Sequence, residues 1–108
     1  MRQAYAHKAV LKSTGDERAP GAAVTVALCG HWEHEPPCPL APHHIGTTRE
    51  GDTLRLRILF VTEPHLAGEV RERIDEALAA GDWRLVESGC AGVEPGERDH
   101  ARRLLKTR

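Results

Sequence analysis

The chain has 108 residues, 40% apolar and 29% charged, a net charge of −1, and only Tyr5, Trp32, Phe60 and Trp83 as aromatics. That length predicts one domain over 1–108, its modest core built mainly from Val, Leu, Ile and Ala. Near-neutrality excludes general attraction to nucleic acid or to an anionic membrane surface. The basic stripe of Arg98, Arg102, Arg103, Lys106 and Arg108 reads as a solvated helix end, its cations near the negative pole of the dipole. No stretch approaches the ~18 apolar residues that span a membrane. Arg2, His7 and Lys8 interrupt residues 1–11, where a secretory leader needs an apolar run. An odd cysteine count without a leader favours reduced thiols or metal ligands over disulfides, and a cytoplasmic location.

In chain order, residues 4–12 predict a strand with Tyr5, His7, Ala9 and Leu11 on one face. The run 13–21, Ser-Thr-Gly-Asp-Glu-Arg-Ala-Pro-Gly, is turn chemistry. Residues 22–32 then predict a second strand, with Val24, Val26 and Leu28 sharing one face, so that the pair forms a hairpin. Residues 33–51 carry no periodic pattern and read as a loop.

The clearest strand covers 52–62, where Leu54, Leu56, Ile58 and Phe60 alternate with Arg55, Arg57, Leu59 and Val61. Its second half is apolar on both faces, which suits a central strand or a homodimer contact. A helix follows Glu63-Pro64, with Leu66, Val70, Ile74, Ala77 and Leu78 on its inner face, Glu69–Arg73 and Arg71–Asp75 pairs on its wet side, and Gly81 as its stop. Trp83 to Ser88 reads as a fourth strand, and 97–106 as a short helix using Ala101, Leu104 and Leu105. The order β-β-loop-β-α-β-α, with a parallel crossover between the last two strands, predicts a two-layer α+β fold: a mixed four-stranded sheet with helices on one face.

The densest chemistry lies in 29–44. These sixteen residues hold two of the three cysteines, four of the seven histidines and four of the seven prolines. Thiolate and imidazole are zinc ligands by preference. Structureless loops beyond ~12–15 residues are uncommon in compact domains, and ordering one costs on the order of 1–2 kcal/mol per residue in backbone entropy. Structural zinc, at roughly 10 kcal/mol or more, can supply that. The candidate ligands are Cys29, His31, His34, Cys38, His43 and His44. The first choice is Cys29, His31, Cys38 and His43 as a closed tetrahedral set, with His34 and His44 as substitutes, since adjacent residues rarely both turn inward.

Taken singly, each of these residues reads as a solvated histidine or a free thiol. His7, His65 and His100 are isolated and read as non-ligands. Cys90 reads as a packing residue, or as a further ligand if its strand end lies beside residue 29. His-Glu-x-x-His is excluded because Pro36 and Pro37 follow His34-Glu35. The ligand types resemble those of a Rieske [2Fe–2S] centre, but Cys38-x4-His43 departs from the Cys-x-x-His spacing of that arrangement, so no family is assigned.

Three functions follow. In the first, a zinc-organised loop serves as a binding or regulatory module, with Trp32 and Leu40 as contact residues for a protein partner. In the second, a metal-dependent hydrolase keeps an open zinc position, with Glu33 or Glu35 as general base. In the third, the ligands hold iron or an iron–sulfur cluster for redox work. The binding module is preferred because no second polar group completes an active site.

Overall fold

The structure, a computed structural model, describes residues 1–29 and 41–106, without the side chain of Cys29. Its elements are β1 (Gln3–Lys12), α1 (Ala19–Cys29), β2 (His43–Glu50), β3 (Thr53–Thr62), α2 (Ala67–Ala79), β4 (Arg84–Ala91) and α3 (Arg98–Leu105), with 3-10 turns at Pro64–Leu66 and Pro95–Glu97. The four-stranded sheet has the order β2-β3-β1-β4. The fold is α+β, as the sequence predicts.

Three details differ from expectation. First, residues 22–29 are helix, not strand. Val24 and Leu28, one turn apart, are fully buried, while Val26, which a strand would turn inward with them, is 50% exposed. Both periods fit this short apolar run, and its alanines, with Pro20 in the first turn, favour the helix.

Second, every pairing is antiparallel and the sheet is not mixed. β3 and β4 do run parallel, as a strand–helix–strand passage requires, but β1 lies between them and pairs with both. β1 and β2 likewise run parallel with β3 between them. Two interleaved, split β-α-β units result, the ferredoxin-like arrangement. The missing strand is β2, from inside the expected loop. It joins β3 through the two-residue turn Gly51-Asp52, with Gly51 at φ +62° as a tight hairpin requires.

Third, the helices cover both faces. α1 and α2 pack over Ala9, Leu11, Leu54, Leu56, Ile58 and Phe60, contributing Val24, Leu28, Val70, Ile74 and Leu78 to the core. α3 lies on the other face, against β1 and β3, where Leu59 and Val61 are 2% and 0% exposed. This is why β3 is apolar on both sides without requiring a second copy of the chain. Gly81 ends α2 for a reason of space: a Cβ there would overlap the indole of Trp83, whose Nε1 donates to the Leu78 carbonyl at 2.6 Å. Among the described residues no helix is long and apolar enough to cross a membrane.

Candidate functional site

Of the predicted ligands, His31, His34 and Cys38 lie outside the described residues, and Cys29 is described only as the last residue of α1. His43 and His44 open β2 and point to opposite faces of the sheet. His43 faces α1. Its Nδ1 is 3.1 Å from the Ala41 carbonyl, which can only accept, so Nδ1 carries the proton. Nε2 then accepts from the Thr25 hydroxyl at 3.0 Å. Burial pushes the His43 pKa down, against the opposing pull of the Ala41 carbonyl. Thr25, His43, Ile45 and Thr47 line a shallow hollow of about 300 Å³ beside this contact.

His44 faces α3 and stacks on His100, with ring centroids 4.0 Å apart and planes 20° from parallel. Burial and the His100 ring lower its pKa, while Glu97 partly offsets them. His100, expected to stand alone, thus has the His44 ring as its partner. Among the described residues no group of three or more His, Cys, Asp or Glu side chains is placed to hold an ion. Cys90 is exposed rather than packed. It sits on β4, the sheet edge opposite β2, so it is remote from His43.

His7 is not isolated either. It is 1% exposed, turned toward α2 by the strand alternation. Its Nε2 lies 3.1 Å from Asp75 Oδ1 and 2.8 Å from Ser88 Oγ, and Nδ1 lies 3.0 Å from Arg71 Nη1, which also donates to the Ala6 carbonyl at 2.8 Å. Ser88 Oγ in turn donates to Asp75. Arg71 and Asp75, expected to pair on the wet side of α2, instead reach His7 from either side. Serine and carboxylate both meet the same imidazole nitrogen, whereas a nucleophilic relay needs them on opposite nitrogens. The cluster is therefore a structural tie joining β1, α2 and β4.

A second hollow, of about 480 Å³, lies on the α3 side of the sheet. The register sets out this face of the sheet in rows: His44, Leu59 and Ala6; then Gly46, Arg57, Lys8 and Gly89; then Thr48, Arg55, Val10 and Glu87. Ala6 and Leu59 of the first row are buried, whereas Lys8 and Arg55 of the next two rows are exposed. Arg57 is clamped by Glu97 through Nε at 2.9 Å and Nη2 at 2.7 Å, and donates to the Gly92 carbonyl at 2.9 Å. That guanidinium holds the Glu97 carboxyl below its usual range. Sequence reading missed this face because its residues are spread over four strands. Only the arginines alternating through β3 signalled it.

No family model matches the chain, and no curated protein matches it. The fold itself hosts many unrelated functions, so function has to be argued from these side chains.

Proposed function

We propose that this protein is a small zinc-binding module in which the Cys/His-rich run between α1 and β2 is organised by the ion and works by binding rather than catalysis. The observation that carries the reading is the Thr25–His43 contact. Cys29 follows Thr25 by four residues, one helical turn. The first and last members of the preferred ligand set therefore belong to elements already fastened together. His43 meets the metal requirement in part: its Nδ1–H is fixed by a backbone carbonyl, the usual partner of a ligating imidazole, and Nε2 becomes free once Thr25 releases it. His44 is the weaker candidate, being committed to His100 on the other face. Thiolates of Cys29 and Cys38 with one imidazole from His31 or His34 complete a tetrahedral set.

Elemental analysis of untagged protein is expected to give about one equivalent of zinc and no visible absorption. Cys38→Ser is expected to release the metal and lower the unfolding midpoint. Metal-free protein whose thiols titrate normally would overturn the reading, and iron with visible bands would replace it with a redox function.

A further inference from the structure

The uncovered part of the α3-side face has chemistry that the zinc reading does not use. Lys8 and Arg57 stand directly opposite each other on adjacent strands, an arrangement that disfavours the sheet when the charges are alike. Glu97 answers Arg57. Lys8 has only Glu87, at 3.9 Å, and Arg55 has no ion-pair partner among the described residues. On either side of the Lys8–Arg57 pair stand Gly46 and Gly89, where an added Cβ would meet nothing within 4 Å. The sheet surface there is both cationic and left open. Leu59 and Val10 supply apolar floor, and the stacked imidazoles of His44 and His100 form one wall.

We propose that this cleft binds a small organic anion, a carboxylate or phosphate carried on an apolar body, with Arg55 and Lys8 holding the charged end. A volume of about 480 Å³ lies within the range of small-molecule sites. A guanidinium without a carboxylate partner is suited to bidentate oxyanion recognition. A second copy of the chain fits poorly, because a two-fold contact would set these cations against their own equivalents. A nucleic acid strand fits poorly too, since among the described residues this face carries no Phe, Tyr or Trp on which bases stack.

The test is calorimetric titration of the full chain with 1-naphthoate, 1-naphthyl phosphate and the uncharged 1-naphthalenemethanol. At least one anion is expected to bind at one per chain, at least about tenfold more tightly than the alcohol; the tighter of the two tells carboxylate from phosphate. Arg55→Gln and Lys8→Gln are each expected to weaken that binding about tenfold. Arg73→Gln, on exposed α2 surface, is expected to leave it unchanged. Both tested cations are exposed, so matched unfolding midpoints will show that the variants remain folded. Equal binding of the alcohol, indifference to Arg55→Gln, or no anion binding would each overturn the proposal. A sedimenting dimer with no anion bound would assign the face to a second copy instead.

Discussion

At the residue scale, His7 is the most constrained polar group among the described residues. Burial lowers its pKa below the ordinary 6.5, and the Asp75 bond and charge only partly oppose this. The folded chain therefore prefers the neutral ring, while the unfolded chain takes up a proton near 6.5. The resulting stability is complete above pH 6.5 and is lost as pH falls from there through the lower folded value. Arg71, Asp75 and Ser88 face the ring from α2 and β4. Thermal unfolding followed from pH 8 to pH 5 is expected to show the midpoint falling on the acid side. His7→Gln should cost about 1–3 kcal/mol at pH 8, since it leaves partners unsatisfied, and should flatten part of that acid slope. An unchanged slope would assign the pH dependence to other groups.

At the element scale, α1 offers the sharpest test of why one pattern was misread. Leu28 is fully buried and Val26 half exposed. Leu28→Ala is expected to cost about 2–5 kcal/mol, and Val26→Thr no more than about 0.5 kcal/mol, as for an ordinary surface change. Denaturant titration of the two variants checks both, and a large loss at Val26 would argue for the strand. β3 and α2 were legible because their apolar positions repeat long enough to admit only one period. Val24 and Leu28 fit both periods and Val26 only the strand's, so the run is decided by its alanines, by Pro20 and by packing against the neighbouring α2. β2 was invisible for another reason. It is an edge strand with Ile45 as its one large apolar residue, and its position is fixed by hydrogen bonds to β3 that leave no trace in side-chain pattern. The inward direction of His7 was readable from alternation, but its partners, 64 to 81 residues away, were not.

At the scale of the whole molecule, α3 is the least embedded layer. Its buried side chain is Ala101, and it is fastened by the Arg57–Glu97 clamp just before it and by the bond from Arg2 to the Leu105 carbonyl at 2.8 Å. Glu97→Ala is expected to cost roughly 1 kcal/mol, as a partly exposed bidentate pair does. It should also speed amide exchange in α3 while β1 and β3 stay protected. Uniformly faster exchange would mean that α3 and the sheet open as one unit. The position of β1 has a further consequence, for the order of events as the chain acquires its shape. The earliest strand occupies the middle of the sheet, and its partners run from Thr53 to Ala91. No local hairpin can shelter it, so this apolar segment waits for its second partner until residue 91 has been made. Assembly of this sheet is therefore late and concerted, and the interval before β4 emerges is when the chain is most exposed to wrong associations.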